Sequence, residues 1–224
     1  MRVIAVVWLL TSSICFSCSF ALAHQETAEL YSPTRFLSGE TPEQPPLASA
    51  GGLTILELDI APSGIVTDAI VLDEAAPFTE VIQKAAVLWR FQPAEIEGNA
   101  IPSKALVVGV FRPPVLMGAG LPEPRSVQPA SEGVPYPIAT SMPEYPPNAL
   151  YEGVAVVEVA IDTGGAVVEA TMVSPEEGYD EAALEAAGAF RFRAARYEGR
   201  VVESFALIIF GFRQPLTTPR MPRR

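Results

Sequence analysis

Residues 190–213, FRFRAARYEGRVVESFALIIFGFR, read as a helix end, a short aromatic strand, a glycine turn and a long apolar strand. Shifted back by 101 residues, 89–112 read WRFQPAEIEGNAIPSKALVVGVFR, with Arg90/Arg191, Phe91/Phe192, Gly98/Gly199 and the closing Phe-Arg in the same places. Extended outward without a gap, 45–114 lie over 146–215 with about 23 of the 70 positions identical, among them Gly52/Gly153, Glu57/Glu158 and Gly64/Gly165. Self-similarity at this period means one structural unit written twice.

Inside each copy the hydrophobic period changes twice. Leu56, Leu58 and Ile60 alternate with Glu57 and Asp59, and Val157, Val159 and Ile161 alternate around Glu158, which predicts a half-buried strand in both copies. Pro62-Ser63-Gly64 and Thr163-Gly164-Gly165 supply a tight turn, and the apolar runs 66–72 and 167–173 complete a hairpin. Val81, Ile82, Ala85, Ala86, Leu88 and Trp89 then fall at helical spacing, as do Ala182, Ala183, Leu184, Ala186, Ala187 and Phe190. Asp180 is placed to cap the second helix and Pro77 to open the first. A third strand, 103–111 and 204–212, is apolar on both faces. The expected fold class is α+β: two tandem repeats, each a three-stranded antiparallel sheet packed by one or two helices. Trp89 and Phe190 are expected to seal the cores, and aspartate at Phe91 or Phe192 to unfold its own copy.

Composition narrows the function. The chain has 224 residues, 49% in the hydrophobic class, and a net charge of -11, which argues against nucleic acid because phosphate-backbone binding begins with a basic face. Residues 1–23 combine Arg2, an uncharged apolar run and a closing Ala21-Leu22-Ala23, the pattern of a cleaved secretory signal and hence of periplasmic export. Uncleaved, the same segment is long enough to be an anchor, and only then is a membrane contact expected. Cys15 and Cys18 both lie within it, so the mature chain holds no disulfide, and His24 becomes a terminal residue. No metal site, cofactor or catalytic constellation is expected, and the chain is read as not an enzyme. Glu176-Glu177 and Asp180-Glu181 read as solvated or capping acids. Residues 24–44 read as a flexible lead-in, 115–142 as a Pro/Gly-rich linker or wrapping loop, and 216–224 as a basic tail.

Tyr145-Pro146-Pro147-Asn148-Ala149, Gly153, Val159-Ala160-Ile161-Asp162, Gly165, Asp180-Glu181-Ala182-Ala183-Leu184, Phe190-Arg191-Phe192, Gly199 and Phe212 together resemble the C-terminal domain of the TonB family, over nearly all of 143–215. Residues 45–114 resemble a degenerate version that keeps Trp89-Arg90-Phe91-Gln92-Pro93-Ala94 and Gly98. The resemblance implies the order helix, two strands, helix, strand in each copy. It also implies binding of a short extended peptide, from an outer-membrane transporter, as an added strand beside the last strand of the sheet. Carried over, the receiving backbone is Ala206, Leu207, Ile208, Ile209, Phe210 and Phe212, with Arg191 and Arg213 as side-chain contacts. The chain departs from a full energy transducer. Ser19 and His24 are five apart rather than the helical four, and the lead-in spans on the order of 70 Å at most.

Three functional readings follow. One is an exported, non-enzymatic protein-binding module acting by strand addition or pairing. Another is a membrane-anchored accessory of energy-coupled transport across the outer membrane. The third is a self-paired scaffold in which the strand 101–111 joins 202–212 and hides both edges.

Overall fold

Period-2 runs that are apolar on alternate residues bury one face when paired, and runs apolar throughout need cover on both sides. Both kinds occur here, and they assemble into one sheet. The computed structural model describes residues 31–45, 51–113, 124, 130–146 and 151–213. In chain order the strands are β1 (Tyr31–Ser32), β2 (Arg35–Ser38), β3 (Gly52–Ile60) and β4 (Val66–Asp73), followed by helix α1 (Phe78–Ala86). Next come β5 (Arg90–Gln92), β6 (Glu95–Ile96), β7 (Asn99–Ala100), β8 (Ser103–Phe111), β9 (Tyr136–Ala139), β10 (Gly153–Ile161) and β11 (Val167–Ser174). Helix α2 (Asp180–Gly188), β12 (Arg191–Arg193), β13 (Arg196–Tyr197), β14 (Arg200–Val201) and β15 (Ser204–Phe212) follow as the last of the described elements. Among the described residues the class is mixed, with two short helices and many strands in several sheets.

The main sheet has six strands in the order β11-β10-β15-β8-β3-β4. Each half contributes an antiparallel trio, and the two trios meet where β15 runs parallel to β8 from Ala206↔Leu106 to Gly211↔Phe111. That register is one residue away from the 101-residue offset, which would set Ala206 against Ala105. Because side chains alternate across a sheet, a one-residue slip sends equivalent residues to opposite faces. The helices obey it. Phe78, Ile82 and Ala86 of α1 pack with Leu56, Leu58 and Val107, while Ala183, Ala186 and Ala187 of α2 pack on the other face with Val157, Val159 and Ile208.

Both cores therefore cross between the halves. The α2-side core includes Leu53, Ile55, Leu106 and Val108, and the α1-side core includes Val154, Val156, Leu207 and Ile209. The expectation that Phe91 and Phe192 each belong to a private core is corrected by this sharing. Trp89 and Phe190 are buried, as expected of rings at the helix ends. The hairpin turns rest on Gly64 and Gly165, at φ +80° and +82°, whose carbonyls accept the amides of Phe91 (3.0 Å) and Phe192 (2.8 Å). A Cβ at either glycine would collide with the very phenylalanine main chain it holds.

Two further expectations are corrected. Asp180 does not cap α2; its Oδ1 accepts the Glu176 amide at 2.8 Å, tying the preceding loop instead. The described part of the lead-in, residues 31–44, is docked and not a flexible tether, and together with Pro45 it forms a strap. A helix ahead of β3 and β10, as the family resemblance implies, would fall on 46–50 and 147–150, outside the described residues, as do 1–30 and 214–224. Among the described residues no helix is long and apolar enough to cross a membrane.

Candidate functional site

The backbone expected to receive a peptide is not an edge. Residues Ala206, Leu207, Ile208, Ile209 and Phe210 pair with β10 on one side and with β8 on the other, and Phe212 pairs with Gly153 and is fully buried. A strand flanked on both sides has its main-chain groups already satisfied, so the expected site is corrected on physical grounds. The two arginines named with it serve the fold. Arg191 donates to the carbonyls of Phe190 (2.7 Å) and Gly188 (3.3 Å) at the end of α2. Arg213 is 7% exposed, donates to the Pro45 carbonyl at 2.6 Å and faces Glu152 at 3.2 Å.

Among the described residues the strands of this sheet paired on one side only are the two outer ones, β4 and β11. They are not equivalent. On β4 the Ala69 amide donates to Asp68 Oδ1 (2.8 Å) and its carbonyl accepts Gln83 Nε2 from α1 (3.0 Å), so the outward main chain at the middle of that edge is occupied. On β11 the same positions carry Ala170 and Glu169, and Leu184 stands in place of Gln83, which removes the amide that blocks the carbonyl. Two irregularities, at Val156/Val157 and Ala160/Ile161, bound a regular ladder over Glu169–Met172.

Glu57 and Glu158 occupy equivalent positions on the helix-free face of each half, buried at 2% and 5% exposure. Glu57 pairs with Leu106 and so points to the α2 side, while Glu158 pairs with Leu207 and points to the α1 side. A buried carboxylate needs donors, and each draws them from a strap. The Ser131 amide (2.9 Å) and hydroxyl (2.5 Å) reach Glu57, joined by Lys104 at 2.8 Å, which also pairs with Asp59. The Phe36 amide (2.8 Å) and Arg35 Nη2 (2.7 Å) reach Glu158. The position of Lys104 is Phe205 in the second half, and the Arg35 guanidinium lies 4.3 Å from that ring, so the cation comes from the strap instead. Both carboxylates are spent as clamps, and among the described residues no group of acids, histidines or cysteines is arranged to hold a metal.

Burial raises the Glu57 carboxyl, but the hydrogen bonds from Lys104 and Ser131 and the Lys104 charge outweigh it and hold the group below its ordinary range. The sign follows. A depressed folded-state value contributes stability above the unfolded value, about 4.3, which is lost as pH falls through the folded one. Glu57→Gln is expected to cost about 1–3 kcal/mol near neutral pH, with the gap to wild type closing in acid. Urea melts at pH 7 and pH 3 check this, and an equal gap at both would show that the ionised form contributes nothing.

Sequence reasoning missed both clamps. Their identity at equivalent positions was a signal, but strand alternation assigns them to a wet face. The open state of β11 was missed too, although the replacement of Gln83 by Leu184 marks it. No protein-family model and no curated protein matches the chain.

Proposed function

We propose that the chain is an exported, non-enzymatic protein-binding module of TonB C-terminal type, made of two copies of one three-stranded unit fused through their last strands. It recognises an extended partner segment by strand addition at β11. One observation carries this reading: the last strands consume each other, Ala206–Gly211 against Leu106–Phe111, and the outer strand left without a blocking side chain at mid-edge is β11. An unpaired strand offers main-chain donors and acceptors that an added chain satisfies.

Hydrogen exchange on the full chain tests it. The amides of 206–211 are expected to be slow in all conditions, and those of Glu169–Met172 to slow only when an extended peptide is present. A self-paired scaffold is the second reading, favoured by the same β8–β15 pairing, and it takes precedence if no peptide slows β11.

The alternative of a membrane-anchored transport accessory turns on residues 1–23. Sequencing of the mature N-terminus is expected to begin at His24, and a retained Met1 would establish the anchored form.

A further inference from the structure

We propose that the β11 edge is built for a basic extended segment: a partner strand laid along Glu169–Met172 whose lysine or arginine enters an acidic recess at the strand's C-terminal end. The proposal rests on strand addition at β11 and adds the chemistry of the occupant. The recess, about 490 Å³, is lined in part by Glu43 and Gln44 from the strap and by Glu152 and Glu176 from the second half. The edge leads into it, because Thr41, another lining residue, is hydrogen-bonded through its hydroxyl to Ser174, the last residue of β11. Arg213 is the cation against this group, and it is committed to Glu152 and to the Pro45 carbonyl. Among the described residues no cation pairs with Glu43 or Glu176, and the buried Oε1 of Gln44 has no donor. An incoming ammonium or guanidinium supplies both the charge and the donors.

The rest of the edge fits an apolar-alternating strand. Val167, Ala170 and Met172 are half-buried on the side where α2 roofs β11 and β10, so the floor of that core continues toward the added strand. Val168 is 64% exposed beside it. A second copy of this chain is the poorer occupant: it would bring Glu169 and the recess acids against their like, in a molecule of net charge -11.

The test uses the full chain and synthetic peptides of alternating valine and threonine with an arginine at one end or the other, and matched peptides with glutamate in its place. One arginine peptide is expected to bind at least tenfold more tightly than its glutamate counterpart, to weaken with salt and to slow exchange at Glu169–Met172. Glu43→Gln with Glu176→Gln, surface changes that leave the core intact, should erase most of that preference. Ala170→Pro should abolish binding by any peptide, since the outward amide is removed without loss of a bond inside the sheet. Equal binding of arginine and glutamate peptides at β11 overturns the basic occupant while strand addition survives. No protection of β11 by any peptide overturns both. A peptide-free dimer with protected β11 amides overturns the choice of occupant in favour of a second copy.

Discussion

Aspartate at Phe192 is expected to unfold the whole chain in one transition, and aspartate at Phe91 to do the same. Phe192 is 2% exposed, with its ring 5.9 Å from Phe190, in a core that also holds Leu53, Ile55, Leu106 and Val108 from the other half. Phe91 is 3% exposed, at the centre of Phe36 and Trp89. Truncating such a ring to alanine costs about 3–5 kcal/mol, and domains of ordinary stability have about 5–15 kcal/mol in hand. An unpaired carboxylate in the same place adds its desolvation to the lost packing. The milder Phe192→Ala keeps the fold measurable and should lower Tm by roughly 6–20 °C at about 2–4 °C per kcal/mol. Calorimetry and circular dichroism should report one coincident step, because β8 and β15 form a single ladder and neither core closes within one half. A two-step melt, with only the mutated half lost early, would show that the halves fold independently.

The strands were legible because their signal is local. Alternation around Glu57 and Glu158 and the unbroken apolar runs of β8 and β15 identify half-buried and fully buried strands without any knowledge of neighbours. Apolarity on both faces of β15 even announced that it has cover on two sides. What was not legible is the one-residue offset that sets Ala206 against Leu106, since it is decided by packing between the two halves and not by the pattern within either. That offset puts the helices on opposite faces and leaves a bare face on each half. The straps that close those faces bind largely through main chain: the Phe36 amide, the Glu40 carbonyl taken by Trp89 Nε1 and the Pro45 carbonyl taken by Arg213. Groups that every residue carries leave no mark in composition, so Arg35 and Phe36 read as part of an aperiodic tether.

The strand expected to receive a peptide is occupied for a related reason. Family resemblance locates a receiving strand in one unit standing alone. Here β8 and β15, the last strands of the two trios, lie in one chain at high effective concentration and pair with each other. The outer strands are β4 and β11, and one difference separates them among the described residues: Gln83 on α1 closes the Ala69 carbonyl, while Leu184 stands at the corresponding place on α2 and has no amide to donate to that of Ala170.

Removal of residues 24–45 is expected to cost the molecule its native packing throughout, although no strand of the main sheet is cut. The strap crosses from one half to the other. Its β2 pairs with β5, β1 pairs with β6, and Tyr31 stacks on Tyr197 at 5.0 Å, while Arg35 and Phe36 reach Glu158 across the sheet. Without it Glu158 keeps its buried position and loses both donors, a penalty of about 1–3 kcal/mol or more for a charged group. Phe36 leaves the edge-to-face contact with Trp89 at 5.5 Å, and Arg213 loses the Pro45 carbonyl. A second strap, residues 130–146, repeats the arrangement on the other side, where Ser131 clamps Glu57 and Arg112 Nη1 donates to the Pro143 carbonyl at 2.7 Å. Each half is thus closed by the segment that leads into the other, and loss of one strap uncovers Val154, Val156, Leu207 and Ile209 together. Trp89 and Trp8 are the two tryptophans, so a chain without residues 1–45 reports from Trp89 alone. Its emission is expected to shift to the red and the near-ultraviolet dichroism to collapse, while Glu158→Ala in the full chain shows a smaller loss of stability with unchanged emission. A truncated chain that keeps buried Trp89 emission and a sharp melt would mean that the six strands and two helices are sufficient, and that the carboxylate clamps hold the strap without the strap holding the fold.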